Sequence, residues 1–309
     1  MPISTPWNRF KKHQKNGHDG VVYKNKTGKH FKRETMSIYE GKKALITGAS
    51  AGIGYALSEE LAKRGSEVII TARRRDRLNE LAQKIEHAGG KAHIFVEDLS
   101  LPESGKKLYD QIKSAGLQVD ILINNAGYGR WGDLTSHERD DYAKMLQLNV
   151  TTLTDLCHLY LPDMVAQGGG GIINVGSMAS LSPIPYASIY SSSKAYVLMF
   201  SEAIRYEYQE QGVNITALLP GGTQSEFARV ATEKSEKLTK RYQKREGAAA
   251  GGGLQTSLEV AIECLNGFEK NQQYILCGSR NRFLYKLTKL MSRKRVLEMT
   301  GGMFKKIAG

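Results

Sequence analysis

The sequence has no long apolar run and very little cysteine. Of its 309 residues, 40% are hydrophobic and only three are cysteine. No segment approaches the roughly 18 consecutive apolar residues of a membrane-spanning helix, and the N-terminus lacks the apolar core of a secretory signal. Cys157, Cys264 and Cys277 are odd in number and are not spaced as metal ligands. These absences exclude a disulfide scaffold and predict a cytoplasmic protein without a bound metal.

Charge is distributed unevenly along the chain. The formal net charge is +13, yet residues 1–38 hold nine basic against two acidic residues and residues 280–309 hold nine against one. The segment between them is nearly neutral, with 26 basic and 28 acidic residues. The basic ends carry no recognition motif and no aromatic base-stacking pattern. We therefore expect no specific binding of nucleic acid.

The two basic ends differ in pattern. Residues 1–38 are polar and show no sustained period, which predicts a disordered extension, and Met36 is a second candidate for the start of translation. The C-terminal segment 280–309 contains a basic amphipathic stretch, Arg282–Met299. Packing of its apolar side on the body of the protein or on another subunit is favoured. Peripheral contact with an anionic membrane is the alternative.

Residues 39–279 alternate short apolar runs with amphipathic stretches of helical length. This alternation predicts a single α/β domain, a doubly wound, Rossmann-type parallel sheet of seven strands with helices on both faces. Residues 222–253 are expected to form a substrate lid, with an ordinary surface excursion as the alternative. The predicted strands are Lys43–Thr47, Glu67–Thr71, Lys91–Val96, Ile121–Asn124, Gly171–Val175, Asn214–Leu219 and Gln273–Cys277. The predicted helices include Tyr55–Arg64, Arg77–His87, Tyr190–Gln211 and Leu258–Phe268, the last preceded by a capping box formed by Thr256 and Glu259.

The first predicted strand runs into a glycine-rich turn and then directly into a helix. Gly48, Gly52 and Gly54 follow the spacing G-x-x-x-G-x-G, and Ser50 and Ile53 lie between them. Glycines at such a turn let the backbone approach a phosphate, and the helix N-terminus attracts the anion. The turn therefore predicts a dinucleotide site. The alternative, glycines required only for helix packing, fits this βαβ context less well.

The residues after the second strand bear on the choice between NAD and NADP. A carboxylate there would repel a 2′-phosphate, but this strand is followed by three successive arginines. Because a guanidinium binds phosphate in a bidentate manner, Arg73 is assigned to the 2′-phosphate, helped by Ser50 and Arg74. NADP is therefore the predicted cofactor. The alternative, a solvated helix face with local ion pairs, fits Arg75 and Arg77.

Two further segments follow strand ends and suit the same cleft. Asp98 comes after the third strand, where it either accepts a hydrogen bond from an adenine amino group or caps the following helix. Asn125 comes after the fourth strand, within Asn124-Asn125-Ala126-Gly127. Because the carboxyl ends of parallel strands meet at one edge of the sheet, we expect both residues near the cofactor.

Tyr190 and Lys194 are one helical turn apart and therefore project from the same helix face. An ammonium beside a phenol favours the phenolate and lowers its pKa, which suits acid-base catalysis. Ser177 follows the fifth strand and places a hydroxyl where it can polarise a carbonyl, and Ser180 is the less favoured choice. Asn149 either supports a water or a helix distortion that links Lys194 to solvent, or is a buried amide satisfied by backbone groups.

Taken together and in this order, these residues resemble the classical short-chain dehydrogenase/reductase family over roughly residues 41–227. The shared motifs are Thr47-Gly48-x-x-x-Gly52-x-Gly54, Asp98, Asn124-Asn125-Ala126-Gly127, Asn149, Ser177, Tyr190-x-x-x-Lys194 and Pro220-Gly221. The resemblance implies that Tyr190 is the general acid-base, that Ser177 orients the carbonyl, that Lys194 binds the nicotinamide ribose and lowers the Tyr190 pKa, and that Asn149 belongs to a proton relay. It also implies that Pro220, Gly221 and Thr223 contact the nicotinamide amide and the diphosphate.

The function implied by the resemblance is an NADP(H)-dependent oxidoreductase that interconverts a carbonyl and a secondary alcohol on a small molecule. A ketone or 3-oxoacyl reductase is favoured, and a homo-oligomer, a dimer or a tetramer, is expected. A non-catalytic NADP-binding regulatory protein on the same fold is the alternative. An epimerase or dehydratase with the same Tyr-Lys pair would resemble longer chains. Candidate walls of the substrate pocket are Tyr128, Trp131, Pro183, Tyr186 and Phe227.

Overall fold

The computed structural model describes residues 22–24, 30–32, 37–232 and 254–308. The strands, in chain order, are β1 (Val22–Lys24), β2 (His30–Lys32), β3 (Lys43–Thr47), β4 (Glu67–Ala72), β5 (Lys91–Val96), β6 (Ile121–Asn124), β7 (Gly170–Val175), β8 (Val213–Leu219), β9 (Thr223–Gln224), β10 (Gln255–Thr256) and β11 (Tyr274–Leu276). Seven of them form one parallel sheet in the order β11-β8-β7-β6-β3-β4-β5. The short strands β9 and β10 pair in parallel with each other.

Helices cover both faces of this sheet. They are α1 (Gly52–Lys63), α2 (Arg75–His87), α3 (Ser104–Ser114), α4 (Arg139–Leu146), α5 (Thr152–Ala166), α6 (Ser188–Tyr208), α7 (Phe227–Thr232), α8 (Ser257–Glu269), α9 (Ser279–Thr288) and α10 (Arg293–Ala308). Helices α1, α2 and α8 pack on one face, and α3, α5 and α6 pack on the other. The doubly wound fold predicted from the alternating pattern is therefore confirmed.

Side chains of each strand alternate between the two faces of the sheet. In β3, Ala44 and Ile46 join the core beneath α1 and α8, whereas Leu45 joins the core beneath α3 and α5. In β4, Ile69 and Ile70 divide in the same way. Because both faces are covered, successive residues of these strands are all apolar, as expected for a buried parallel sheet.

The strand order indicates which edge of the sheet is expected to bind a ligand. From β3 the chain proceeds outward through β4 to β5 and then returns to place β6 on the other side of β3. The loops after β3 and β6 therefore turn away in opposite directions and leave a crevice between them. In open α/β sheets, ligands bind at this reversal point, outside the carboxyl ends of the strands.

Predicted and observed element ends differ by a few residues, for reasons that lie in pairing and turn geometry. Strand β4 extends to Ala72, which pairs with β5, and β7 begins at Gly170, which pairs with β8. Strand β8 begins at residue 213, one residue early, and β11 keeps only the three residues that pair with β8. Helix α1 begins within the glycine-rich turn, and α2 begins at Arg75.

Two further helix predictions can be compared with the structure. Helix α6 begins at residue 188, ahead of Tyr190, and gives way to a 3₁₀ turn, Gln209–Gln211, before the positive φ of Gly212 ends the helical run. The capping box of Thr256 and Glu259 at the start of α8 is confirmed in both of its hydrogen bonds.

The two ends of the domain depart from what the sequence predicts. Within residues 1–38, β1 and β2 pair as an antiparallel ribbon, which the prediction of a disordered extension did not include. The basic amphipathic stretch Arg282–Met299 is divided between two separate helices, α9 and α10, and does not form one continuous helix. Ser292 accepts a hydrogen bond from the Arg295 amide at 3.3 Å and so starts the second helix.

Part of the predicted lid, residues 233–253, lies outside the described residues. The described part of the lid consists of β9 and α7. None of the described helices combines the length and the apolar character that crossing a bilayer would require.

Candidate active site

The glycine-rich turn between β3 and α1 is closed against the segment after β6. Gly48 and Gly52 adopt positive φ angles of 68° and 60°, which favour glycine. At Gly54 a Cβ would lie 2.4 Å from Asn125 Nδ2 and 2.5 Å from the Gly48 carbonyl oxygen. Gly54 therefore permits close packing behind the turn, whereas Gly48 and Gly52 line the cleft itself.

The N-terminus of α1 offers backbone amides to the cleft. Its N-cap residue, Ala51, supplies no side-chain cap, and the first turn holds no acidic residue. Ser50, Gly52 and Ile53 line the cleft at this point. Uncapped amides and the positive end of the helix dipole suit a phosphate group. The turn therefore has the donor set and the open backbone that the diphosphate of a dinucleotide requires.

A small hydrogen-bond network fixes the ends of β3 and β6 relative to each other. Thr47 Oγ1 accepts from the backbone amides of Asn125 and Ala126, each at 2.9 Å. Asn125 Nδ2 donates in return to the Thr47 carbonyl oxygen at 2.8 Å. Asn125 was predicted to bind the cofactor. In the structure its side chain holds the glycine-rich turn through hydrogen bonds to the Thr47 and Gly48 carbonyl oxygens. Sequence reasoning missed this role of Thr47, because its partners lie 78 and 79 positions away.

The arginines after β4 have separate environments. Arg73 lines the cleft, is exposed, and has no hydrogen-bond or ion-pair partner among the described residues. Arg74 donates to Ser50 Oγ at 3.2 Å and forms an ion pair with Glu226 at 3.0 Å. The hydrogen bond from Arg74 lowers the pKa of Glu226. Two guanidinium groups therefore lie after β4, where the sequence predicts a 2′-phosphate site, and Arg74 also connects this position with the start of the predicted lid.

Arg77 fits the solvated helix face that the sequence offered as the alternative. Its guanidinium pairs with Glu80 at 2.9 Å on the surface of α2. Asp98 lines the cleft, and its Oδ1 accepts from the amide of Ser100 at 3.0 Å and from the Ser100 hydroxyl at 2.6 Å. Asp98 does not cap the following helix, whose N-cap residue is Glu103, so the capping alternative is wrong, and its place in the cleft wall suits an adenine contact.

The segment after β7 presents Ser177 to the cleft. Ser177 caps the short 3₁₀ helix Met178–Leu181, and its Oγ accepts from the Ala179 amide at 3.1 Å. The hydroxyl hydrogen of Ser177 thereby stays available to a substrate carbonyl or to Tyr190. Ser180 Oγ donates to the Lys194 carbonyl oxygen at 2.7 Å and accepts from the Ser177 amide. Because its donor is occupied, Ser180 holds the 3₁₀ helix on α6 and is less suited to polarise a carbonyl.

Tyr190 and Lys194 are both buried at the start of α6, with 8% and 4% of their surface exposed. Burial raises the pKa of Tyr190 to about 12, against the opposite effect of its hydrogen bond with Ser177. Burial lowers the pKa of Lys194 to about 8, and Lys194 Nζ donates to the Val175 carbonyl oxygen at 2.8 Å. The prediction of a lowered Tyr190 pKa is therefore wrong for this structure, because desolvation outweighs the other influences on the phenol.

Asn149 lies behind the cleft wall in a π-helical turn, Gln147–Thr151, between α4 and α5. Its Nδ2 donates to the Tyr128 carbonyl oxygen and to Ser193 Oγ, and its Oδ1 accepts from the Tyr128 amide. The helix distortion expected at this position is thus present, and backbone groups also satisfy the amide. A Cβ on Gly127 would lie 2.9 Å from Asn149 Oδ1 and 3.2 Å from Lys194 Nζ, so both polar groups approach this glycine closely.

The loop after β8 completes the cofactor side of the cleft. Pro220, Gly221 and Thr223 all line it. The Pro220 carbonyl oxygen accepts from the Met178 amide at 2.9 Å, which ties this loop to the segment that carries Ser177. Thr223 Oγ1 donates to the Gly221 carbonyl oxygen at 3.2 Å. The structure therefore brings predicted residues from six strand ends, those of β3 to β8, to a single cleft.

This cleft has a volume of about 2170 Å³, and its far wall comes from the C-terminal helices. Leu284, Leu287, Met291, Met299, Met303 and Phe304 of this region line it. The Phe304 ring packs edge-on against Trp131, with ring centroids 5.8 Å apart. Thr300 donates to the Pro183 carbonyl oxygen at 3.1 Å. The favoured prediction of packing on the body of the protein thus describes α10, but sequence reasoning missed that this segment would line the cleft.

The predicted pocket walls divide into two groups. Tyr128, Trp131 and Phe227 line the cleft, and the Phe227 ring lies 5.3 Å from the Tyr190 ring, centroid to centroid. Pro183 and Tyr186 do not line it. The carbonyl oxygen of Tyr186 instead accepts a hydrogen bond from the Gly132 amide at 2.8 Å, and Pro183 supports α10. The backbone of these two residues supports neighbouring segments, and their side chains do not form part of the cleft wall.

Comparison with known proteins finds similar sequences over the same region. The family model described as short chain dehydrogenase matches residues 42–236. The chain is 30% identical over 256 residues to the ketoacyl reductase HetN of Nostoc sp., which covers 83% of this chain and 85% of that protein. It is also 30% identical over 203 residues to the human very-long-chain 3-oxoacyl-CoA reductase. That match spans 62% of each chain, and several other curated relatives are matched over a similar share of their length.

Solved structures share the fold. A short-chain dehydrogenase from Sphingobium yanoikuyae, solved in complex with NADPH, superimposes with a TM-score of 0.67 at 27% sequence identity. The superposition covers 80% of this chain and 94% of the Sphingobium protein. The same architecture is thus built from a sequence that differs at most positions.

Proposed function

The chain belongs to the short-chain dehydrogenase/reductase family, and on that premise we propose that it is an oxidoreductase of CH-OH groups, namely an NADP(H)-dependent reductase of ketones or 3-oxoacyl compounds. The observation that carries this proposal is the convergence of Ser177, Tyr190 and Lys194 beside the glycine-rich turn. A hydroxyl donor, a buried phenol and a buried ammonium next to a phosphate-binding turn suit hydride transfer to a carbonyl.

The chain's own residues supply the proton and orient the carbonyl. A nicotinamide bound in the cleft would supply the hydride that the carbonyl carbon receives. The Tyr190 hydroxyl donates its proton to the carbonyl oxygen as the carbon-oxygen double bond becomes a single bond. Ser177 keeps its hydroxyl hydrogen for the same oxygen, since its oxygen already accepts from Ala179. The ammonium of Lys194, one turn further along α6, stabilises the phenolate that is left.

The raised pKa of Tyr190 agrees with a role as proton donor. A phenol with a pKa of about 12 is protonated at neutral pH, and its acidity must rise as substrate and cofactor bind. The proposal also assigns Asn149 to a proton relay, because its Oδ1 and Lys194 Nζ approach the same glycine. The Asn149 amide hydrogens are engaged by Tyr128 and Ser193, so a relay would use its oxygen.

NADP is proposed over NAD because of the charge at the end of β4. The exposed guanidinium of Arg73 and the nearby guanidinium of Arg74 attract a 2′-phosphate. The Sphingobium relative was solved with NADPH, although another solved neighbour carries NAD. The donors at the start of α1 would hold the diphosphate of either cofactor.

The proposed substrate is an apolar carbonyl compound. Six leucine, methionine and phenylalanine side chains of α9, α10 and the loop between them line the cleft, together with polar side chains such as Asn281 and Thr288. Names of two curated relatives refer to 3-oxoacyl-CoA and ketoacyl reduction, which agrees with such a wall. The three cysteines are free and buried, which agrees with action in a reducing compartment such as the cytoplasm. We also propose a homo-oligomer, as the family resemblance implies.

The test is an NADPH oxidation assay against a panel of ketones and 3-oxoacyl thioesters. Tyr190→Phe removes the proton donor and is expected to lower kcat about 100-fold or more on every substrate that the unmodified chain reduces, with NADPH affinity retained. Tyr196→Phe is the matched control, because Tyr196 lies on the same helix, is 39% exposed and is outside the cleft wall. Near-normal turnover by Tyr190→Phe would contradict the mechanism. NADPH binding without turnover of any carbonyl would favour the regulatory alternative.

A further inference from the structure

Exposed apolar side chains are concentrated on the C-terminal helices. Among the described residues, seven of the fifteen exposed large apolar side chains lie on α9, α10 or the loop between them. We call these seven the C-terminal apolar face: Phe283, Leu284, Leu287, Leu290, Leu297, Met299 and Met303. Leu290 is 86% exposed and Phe283 is 62% exposed. A cluster of this kind on so short a segment indicates a surface that meets an apolar partner.

Exposed basic side chains lie on the same helices as the C-terminal apolar face. Eight exposed lysine and arginine residues lie between positions 280 and 305, and Glu298 is the single acidic residue there. They are Arg280, Arg282, Lys286, Lys289, Arg293, Lys294, Arg295 and Lys305. Only Arg282 forms an ion pair with an acidic residue in the described part of this segment, to Glu263 at 2.8 Å. The surface is therefore both apolar and strongly positive.

The positive charge decides between the possible occupants of this surface. A second copy of the chain in a symmetric dimer would place two strongly basic surfaces against each other, which repulsion disfavours. Protein interface cores are also depleted in lysine. An anionic bilayer, in contrast, accepts apolar side chains at the level of the acyl chains while lysine and arginine extend to the phosphates. Each basic residue near such a surface adds to the electrostatic attraction, which salt screens.

The mouth of the cleft lies within the same surface. Leu284, Leu287, Met299 and Met303 are each exposed by more than 40%, and all four also line the cleft. An apolar molecule that leaves the acyl region of a bilayer at this point would meet apolar side chains continuously into the cleft. The aromatic pair of Trp131 and Phe304 lies further along the same wall.

We propose that the C-terminal apolar face docks on an anionic membrane surface, where the mouth of the cleft receives apolar substrate from the bilayer. Docking follows from the charge and exposure of α9 and α10 and is independent of the reductase chemistry. Delivery of substrate rests on the proposed function.

Vesicle flotation of the full chain tests the docking. Phosphatidylcholine vesicles with about one third phosphatidylserine are expected to carry the protein, pure phosphatidylcholine vesicles are expected to carry much less, and salt is expected to weaken the binding. The double variant Phe283→Glu with Leu290→Glu changes two face residues that do not line the cleft. Its partition onto anionic vesicles is expected to fall about ten-fold or more.

Two controls keep the outcomes distinct. Met199→Glu changes a side chain that is 72% exposed on α6, away from the C-terminal apolar face, and is expected to leave vesicle binding unchanged. Thermal unfolding and NADPH binding of the double variant verify that it is folded. Because flotation is scored without turnover, failure of the proposed reductase function would leave this readout intact.

Three outcomes would overturn the proposal. One is equal vesicle binding by the double variant and the unmodified chain. Another is binding that does not depend on the anionic lipid. The third is a dimer in sedimentation that dissociates in the double variant without any vesicle binding, which would make a second copy of the chain the occupant of this surface.

Discussion

On one wall of the cleft, formed by the strand ends of β3, β6 and β7 with the start of α6, polar groups are buried and paired within the protein. Thr47, Asn125, Asn149 and Lys194 each have hydrogen-bond partners there. On the opposite wall, formed by α7, α9 and α10, apolar side chains are partly exposed. We call these the strand-end wall and the C-terminal wall.

The difference between the walls follows the needs of the proposed chemistry. Proton and hydride transfer require atoms held in place to fractions of an ångström, which dense packing and paired polar groups provide. Recognition of an apolar chain requires area more than exact placement, so long flexible side chains suffice. A substitution that adds the same number of atoms should therefore lower cofactor binding or stability more on the strand-end wall than on the C-terminal wall.

Gly54→Ala is the most severe test of the strand-end wall. The added Cβ would lie 2.4 Å from Asn125 Nδ2 and 2.5 Å from the Gly48 carbonyl oxygen. Since the second of these is backbone, the turn itself must move, and we expect NADPH affinity to fall about 100-fold with a loss of about 1–3 kcal/mol in the free energy of unfolding. Fluorescence titration and urea unfolding measure the two effects. Affinity within a factor of two of the unmodified chain would show that the turn is not rigid.

Arg73→Glu tests an exposed charge at the end of β4, on the cofactor side of the cleft. Reversing the charge should repel a 2′-phosphate, so we expect NADPH affinity to fall about 10-fold while NADH affinity is unchanged or improved. Titration with both cofactors measures the ratio of their affinities. Arg77→Glu is the matched control, because Arg77 is an arginine on the surface of α2 outside the cleft wall. An unchanged ratio in Arg73→Glu would remove Arg73 from the phosphate site.

Lys194→Met tests whether burial on the strand-end wall costs stability. The pKa of Lys194 is lowered to about 8 from 10.5, so the folded protein binds its proton less tightly than the unfolded chain does. This penalty is fully present below about pH 8 and is relieved as the pH rises towards 10.5. Relative to Lys194→Met, the unmodified chain should therefore gain about 1 kcal/mol in unfolding free energy between about pH 7.5 and about pH 9.

Urea unfolding of both proteins across this window measures the difference. The buried cysteines, whose pKa values are raised by burial, destabilise both proteins as the pH rises and cancel in the comparison. A difference that does not change with pH would mean that Lys194 titrates normally.

Gly302→Ala is the counterpart of Gly54→Ala on the C-terminal wall. A Cβ at Gly302 meets no atom within 4 Å, and the residue lies within α10. Because alanine favours a helix interior over glycine, we expect the free energy of unfolding to rise by about 0.5–1 kcal/mol. Urea unfolding measures this change. A loss of stability would mean that α10, like the glycine-rich turn, has no room for an added methyl group.

The local sequence pattern was sufficient to predict the strands of the main sheet and many residues of the strand-end wall. The apolar runs located all seven strands of the main sheet, and the residues that follow β3, β6 and β7 were correctly expected at one edge. Contacts between residues far apart in the chain were not accessible in this way. Arg74 pairs with Glu226, 152 positions away, and no spacing rule connects the two.

The pKa of Tyr190 shows a further limit of sequence reasoning. The spacing of Tyr190 and Lys194 indicates correctly that they share a helix face. The effect of one group on the other, however, depends on burial and on the hydrogen bond that Lys194 makes to Val175. Solvent exclusion is a property of the packed domain, and one turn of helix does not determine it.

The sequence by itself determined the doubly wound fold, the glycine-rich turn and the spacing of Tyr190 and Lys194, because periodicity and glycine placement act over a few residues. Only the tertiary structure decided that α9 and α10 form a wall of the cleft and that their apolar side chains reach solvent. An amphipathic pattern states that one side of a helix is apolar. What that side meets depends on the chain path that brings residues 280–308 back across the strand ends.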